Sequence, residues 1–443
     1  MPTALPHQIE GARFLSERRC ALLADAPRVG KTGAAILAAD DILARKILVI
    51  TTASGRPVWV RGFADWSMFP RNVAALYPGE SRKAFDAADV QIVGWAALDK
   101  MRDAGPWDLI IPDENHYAKS VDAKRTQHLY GPMKGLSRGA GLCDRAGIIW
   151  PLTGTPIPNA PNDLYPTLRA LVPERLTDEW GPTDVTRYDD FLRRYCIVRQ
   201  KQISRFNKID VVVGGRNLEE LKARLDGFIL RRTQQDVGIR PPNFEILPIH
   251  ISAAQRRALE AEIPDAEEIL DAAETGETKS LEMHLGPLRR ITGTIKTRGV
   301  VDLVREEISD GLDKIVLMAW HKDTLDALQE GLSDLGVVRV DGASTAKHRD
   351  AAQQTFAGNP GVKVFLGQIV ACGEAIDLSA SAELLFVESS FVPKDMAQAS
   401  LRITNHGQTR QPRVRVAALE GSIDEALQTI LVRKVETIRE VLT

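Results

Sequence analysis

The sequence predicts an α/β protein of two tandem units, each a parallel sheet flanked by helices and each carrying a helical insertion. Three observations point there. Short apolar runs alternate with amphipathic stretches, the pattern of βαβ units. The alternation stops near residue 160, gives way to a basic stretch, and resumes near 314. Finally, the apolar CALLA is followed at once by Gly30-Lys31-Thr32 and a helical run, the strand–loop–helix order of a phosphate-binding loop.

Taken in order, KILVITT (46–52), VQIVGW (90–95), DLIIPDE (108–114) and GIIWPLTG (147–154) read as buried strands bounded by turn or cap residues. From about 161 to 236 the pattern reads as mainly helical and basic. IRPPNFEIL (239–247) reads as a linker running into an extended segment, which puts the domain boundary near 240. A second helical block covers 253–309. Strands return at KIVLMAW (314–320), VVRV (337–340), VKVFLGQ (362–368), AELLFVE (382–388) and RVRVAALE (413–420). The domains are therefore expected at 1–240 and 241–443.

At 443 residues the chain exceeds one ordinary core. Its 44% hydrophobic and 26% charged content is that of a soluble globular protein and argues against a fibrous or disordered chain. No apolar run reaches the roughly 18 residues of a membrane span, and the N-terminus lacks a signal-peptide layout. Cys20, Cys143, Cys196 and Cys372 are scattered without metal-ligand spacing, which favours cytosolic thiols over a disulfide framework or zinc module. The formal net charge of −2 gives no overall basic field. Charge is uneven, however: residues 193–240 hold twelve Lys/Arg against five Asp/Glu. Solvated helix faces or a polyanion partner would each account for that run.

The GKT loop needs backbone N–H groups at a helix N-terminus to cradle phosphate, a lysine to reach it and a hydroxyl for Mg²⁺. Lys31 and Thr32 supply the last two, with Arg28, Val29, Gly30 and Gly33 around them. Alone the tripeptide is weak, since chance yields it in roughly one such chain in five. LIIPDENH (109–116) adds a strand ending in two carboxylates, suited to a metal (Asp113) and to an attacking water (Glu114). His116, two positions on, could sense the γ-phosphate. Thr153 and Thr155 flank a glycine at the next strand end, where a plain tight turn is the simpler reading.

LPHQIEGARFL, LADAPRVGKT, DENH, LTGTPIPN, FLRRYC and FILRRTQQDV occur in that order, followed by MAWHKDTLDAL, VDGASTAKHRD, ACGEAIDLSASAELLFVE and QASLRITNHGQ. This ordered set resembles the Swi/Snf-type ATPases of helicase superfamily 2, above all their compact HARP-like annealing helicases and bacteriophage relatives. The resemblance runs from about residue 5 to 430. It implies two RecA-like domains that use ATP and Mg²⁺ to move along duplex, forked or branched DNA without regard to sequence. A strand-separating helicase, or an ATP-responsive DNA-binding scaffold with weak hydrolysis, are the alternatives. It further implies a monomer in the cytoplasm of a bacterium or phage-infected cell.

The resemblance assigns Gln8 to the adenine edge, Lys31 and Thr32 to phosphate and metal, Asp113 and Glu114 to metal and water, and Thr153, Thr155, His116 and Gln398 to coupling. It places Gly373, Asp377 and Glu388 along the cleft and DNA track, and Arg402 on the transferring phosphoryl group. Helical protrusions and basic stretches hold DNA in such proteins, which makes Arg193, Arg194, Lys201, Arg205 and Lys208 candidate phosphate contacts. Arg231 and Arg232 fall near the interdomain hinge. Two departures stand out. Ala26 and Arg28 replace an acidic residue and a glycine; Arg28 is tolerable there if its backbone keeps an ordinary φ. Asn405 replaces the second arginine of the last motif, so Arg402 acts alone, Arg410 or Arg413 substitutes, or hydrolysis is weak.

Overall fold

A computed structural model describes residues 2–77, 82–133, 140–154, 160–202, 208–261, 266–275, 278–372 and 376–442. The chain divides into two units, 1–233 and 234–443.

In the first unit the strands are β1 (Leu22–Leu23), β2 (Ile47–Thr51), β3 (Val73–Ala75), β4 (Val90–Gly94), β5 (Trp107–Pro112), β6 (Ala146–Ile149), β7 (Cys196–Gln202), β8 (Lys208–Gly215) and β9 (Ile229–Leu230). β3-β4-β2-β5-β6 form one parallel sheet in that order. Every residue of β2 is buried, as its unbroken apolar run requires of a strand covered on both faces. One core cluster gathers Leu48, Ile50 and Ile110, the other Ile47, Val49 and Ile111. That split follows from the alternation of side chains along each strand. β1 and β9 pair in parallel, and Leu23 bridges Leu152 just beyond β6. Since Leu152 also bridges Asp113, the ends of β1 and β5 emerge one strand apart at the same sheet edge. Open α/β sheets bind ligands at this carboxyl edge.

The stretch 161–236 departs from the mainly helical expectation. It contains the helices Tyr165–Leu171, Tyr188–Tyr195 and Leu218–Leu225, but also the antiparallel ribbon β7–β8, with an irregularity between Ile197 and Val198. The β-branched IVR and VVVGG runs favour strands, and the interleaved cations mask their alternation. Some of the positive charge here is structural. Arg224 is fully buried and donates to the carbonyls of Arg175 (2.7 Å), Thr177 (2.8 Å) and Thr183 (2.6 Å).

The second unit holds β10 (Asn243–Ile249), β11 (Ile315–Ala319), β12 (Val337–Val340), β13 (Val364–Gln368), β14 (Glu383–Phe386) and β15 (Arg413–Leu419), all parallel in the order β10-β15-β14-β11-β13-β12. The extended segment after the prolines is thus a seven-residue edge strand, Asn243 opposite Arg413 through Ile249 opposite Leu419. The block before β11 is helical at Ala253–Ala261, Ala266–Thr275 and Thr278–Ser309. The last of these helices buries Lys296 in an ion pair with Asp424 at 2.7 Å. Among the described residues no helix is long and apolar enough to cross a membrane.

Candidate functional site

The phosphate-loop candidate joins β1 to the helix α2 (Lys31–Asp41). Gly30 caps that helix at φ 101, a conformation that favours glycine, and a β-carbon there would collide with the Gln8 amide. Arg28 does not keep an ordinary φ. It sits at φ 72, so the position wants glycine and arginine is held there under backbone strain. The Lys31 ammonium donates to the carbonyls of Asp25 (2.7 Å) and Ala26 (3.1 Å), curling back onto its own loop. Thr32 is half-buried one residue into α2. Gly33 has a packing reason to be small, since a β-carbon would lie 3.0 Å from the Trp66 ring.

Gln8 lies in the first helix, α1 (Pro6–Ser16), and is buried against this loop. Its Oε1 accepts the Leu5 N–H (2.9 Å) and its Nε2 donates to the Gly30 carbonyl (3.4 Å). His7 donates through Nε2 to the carbonyl of buried Val29 at 2.8 Å. Sequence reasoning does not assign a role to His7, nor to Asp25, whose buried carboxylate grips Arg232.

At the end of β5, Asp113 Oδ2 accepts from Thr51 Oγ1 (2.9 Å) and Trp59 Nε1 (2.8 Å), while Oδ1 accepts the Glu114 N–H (3.0 Å). Burial, reinforced by the neighbouring Glu114 charge, pushes the Asp113 carboxyl up to about 6. The two hydrogen bonds and Lys31 pull the other way without cancelling it. Glu114 sits at φ 52, ψ 49, a left-handed kink that turns the chain off the strand. His116 Nδ1 lies 3.3 Å from Glu114 Oε2 and 3.3 Å from Thr153 Oγ1, joining the carboxylate pair to the next strand end. Asn115 anchors the turn from beneath: its Nδ2 donates to Thr167 Oγ1 (2.9 Å) and its Oδ1 accepts from Tyr130 (2.6 Å). The buried partners Thr51, Trp59 and Tyr130 carry no motif, and the bracing role of Asn115 within DENH is visible only in the structure.

In the second unit, Asp377 accepts from Ser379 N (3.0 Å) and Oγ (2.6 Å), so its carboxylate shapes a turn. Asn405 donates to the same Ser379 hydroxyl. Arg402 is half-buried in the turn Leu401–Ile403, and Gln398 is half-buried in the helix Pro393–Ser400. Arg410 is exposed, whereas Arg413 is held at the start of β15 by Glu383 at 2.9 Å. Glu388, expected along the cleft, has no exposed side-chain surface. It accepts the N–H groups of Trp320 and His321 (2.8 Å each) and His321 Nδ1 (2.8 Å), an internal brace for that turn.

Of the phosphate-contact candidates, Arg193 pairs with Asp190, and Arg194 donates through Nε to Glu220 at 3.0 Å. Lys201 and Lys208 lie on β7 and β8, opposite Ile209 and Gln202 in register. Thr155, Arg205 and Gly373 fall outside the described residues.

A parallel sheet, a loop at a helix N-terminus and a carboxylate pair at the same edge define a phosphate-loop α/β protein, with a second parallel-sheet unit following in the chain. The profile of the SNF2-related domain matches residues 7–295, and the chain belongs to that family. It is 27% identical over 448 residues to the Xenopus tropicalis SWI/SNF-related matrix-associated actin-dependent regulator of chromatin subfamily A-like protein 1, covering 98% of this chain and 44% of the relative. It is 24% identical over 452 residues to the human DNA annealing helicase and endonuclease ZRANB3, covering 98% of this chain and 40% of that one. The chain thus spans about half the length or less of these relatives. Among solved structures, the Sulfolobus solfataricus SWI2/SNF2 ATPase core in complex with dsDNA aligns with 99% of this chain and 93% of its own, at 21% identity and a TM-score of 0.44.

Proposed function

We propose that this chain is an ATP-dependent DNA translocase, moving on duplex or branched DNA and remodelling or annealing it. The observation that carries the reading is the shared sheet edge: the GKT loop and the Asp113–Glu114 pair emerge one strand apart, in a member of the SNF2-related family. Its relatives' names include an annealing helicase, which favours annealing over strand separation.

The residues fit ATP and Mg²⁺. A hydroxyl and a largely buried carboxylate with a raised proton affinity are oxygen donors that a cation would stabilise, and the lysine beside them offers positive charge to phosphate. Bound Mg²⁺ would neutralise charge on the phosphate oxygens. Thr32 and Asp113 would hold it, and Lys31 would leave its two loop carbonyls for phosphate. Glu114 orients and deprotonates the attacking water, while His116 and Thr153 relay the state of that water to the neighbouring strand end. Gln8 and His7 steady the loop. Arg402 supplies positive charge to the transferring group, and Gln398 supports its helix. Arg193, Arg194, Lys201, Arg205 and Lys208 contribute sequence-independent phosphate contacts.

The test is phosphate release with and without duplex DNA, in wild type and Glu114→Gln, alongside two displacement assays. A translocase displaces a triplex-forming strand but leaves a duplex paired; a helicase separates the duplex. Release that DNA does not stimulate, or that persists in Glu114→Gln, would count against this reading.

A further inference from the structure

The last residues of the first unit run alongside the phosphate loop. Leu22, Ala24 and Ala26 donate their N–H groups to the carbonyls of Phe228 (2.9 Å), Leu230 (2.7 Å) and Arg232 (2.8 Å). The β1–β9 ladder therefore continues past the strand into the loop itself. Arg232 then closes on it. Its N–H and Nε donate to Asp25 Oδ1 at 3.0 and 3.1 Å, and its Nη2 donates to Oδ2 at 2.5 Å. Its Nη1 reaches Glu10 (3.0 Å) and the His7 carbonyl. Gly11 leaves room for this guanidinium, whose Nη2 would lie 2.8 Å from a β-carbon there. From the other side, Lys31 holds the carbonyls of Asp25 and Ala26. The Asp25–Ala26 segment is clasped between Lys31 and Arg232.

Two residues further on, Gln234 is fully buried and donates through Nε2 to Thr404 Oγ1 at 3.2 Å within the second unit. That hydroxyl donates in turn to the Leu401 carbonyl at 2.9 Å, closing the turn that carries Arg402. Arg232 and Gln234, with Thr233 alone between them, are thus fixed to the phosphate loop and to the Arg402 turn respectively.

We propose that Arg232–Thr233–Gln234 is a transmission link, through which a change at the phosphate loop is passed along the chain to the turn bearing Arg402. The inference rests on the nucleotide-driven reading above. Two Cα–Cα steps span about 7 Å at most, so a tripeptide anchored at both ends cannot absorb displacement as a longer loop would. When Lys31 turns to phosphate, the Asp25–Ala26 segment loses two donors, and Arg232 becomes its principal side-chain anchor. Arg232 and Gln234 are positioning residues on this account.

The experiment uses the full chain with Thr404→Val, which removes the hydroxyl at nearly constant shape, Thr404→Ser, which keeps it, and Arg232→Lys. Binding of a fluorescent ATP analogue, basal and duplex-stimulated ATPase, and thermal melting are measured for each. Thr404→Val should leave analogue affinity within about twofold yet lower stimulated kcat roughly tenfold or more, the scale of a coupling free energy. Thr404→Ser should restore the rate. Arg232→Lys should weaken analogue binding and lower stimulated kcat together. The link is overturned if Thr404→Val retains stimulation, or if its loss is not rescued by serine. If wild type shows no DNA stimulation, the translocase reading fails separately. Hydrogen exchange at residues 401–405 then judges the link: the analogue must alter it in wild type and not in Arg232→Lys, and no change in wild type overturns the proposal.

Discussion

Asp113→Asn should stabilise the nucleotide-free protein, and the gain should depend on pH. The native carboxyl is raised from 3.8 to about 6, chiefly by burial and then by Glu114. Between those values the folded state binds more protons than the unfolded one, so the group favours folding fully below about 3.8 and loses that contribution as pH rises through 6. At 1.36 kcal/mol per pH unit, the carboxylate costs on the order of 3 kcal/mol near neutrality. Partial exposure reduces this. An asparagine oxygen can still accept from Thr51 and Trp59, but its amide then faces the Glu114 N–H, a loss of about 1 kcal/mol. The net expectation is a variant about 1–2 kcal/mol more stable at pH 7.5, with the advantage gone below pH 4. Urea unfolding of both proteins from pH 4 to 8 measures it. Equal stability at pH 7.5, or a difference that does not change with pH, would refute the reasoning.

Four further outcomes are expected. Arg28→Gly relieves a left-handed arginine and should raise the urea midpoint by the equivalent of about 1 kcal/mol without changing the slope; a lower midpoint would mean that Arg28's own contacts outweigh the strain. Lys296→Met strands the Asp424 carboxylate and should cost about 3–5 kcal/mol, most of it recovered in the double variant with Asp424→Asn. Arg402→Ala should lower DNA-stimulated ATPase by roughly 10³. Arg413→Ala, which breaks pairs with Glu383 and Glu245 at the start of β15, should leave the rate per folded molecule intact, and Arg410→Ala decides whether a second arginine serves. Replacing Lys201 and Lys208 together by glutamine should reduce the salt dependence of duplex binding by about two in slope, and an unchanged slope would remove both from the interface.

What could be read from the sequence follows from how local each signal is. β2 and β11 were legible because a short, unbroken apolar run between turn residues fits a strand buried on both faces. The carboxylate pair was legible because two acids at a strand end satisfy a chemical need. The β7–β8 ribbon was not, since Arg199 and Lys201 broke the apolar alternation of β7. The basic run left two readings open for a related reason. Counting cations cannot separate Arg224, which staples three carbonyls internally, from cations open to a polyanion. Arg28 shows the limit most sharply: its identity was visible, but only the backbone reveals that the loop demands a positive φ there.

The costs at this sheet edge share one direction. Arg28 and Glu114 both hold left-handed backbone, worth about 1–3 kcal/mol each in strained positions, and Asp113 holds a carboxylate that burial disfavours. The contacts within the edge serve other ends: Lys31 donates to carbonyls, and His116 lies between Glu114 and Thr153. Such strain persists where the surroundings over-determine it, here through the Asp25–Arg232 pair above the loop and the Asn115–Thr167–Tyr130 contacts beneath the turn. A cation at Asp113 and phosphate at Lys31 would offset the electrostatic part and leave the backbone part standing. The ligand should therefore stabilise wild type more than Asp113→Asn, and should stabilise Arg28→Gly about as much as wild type.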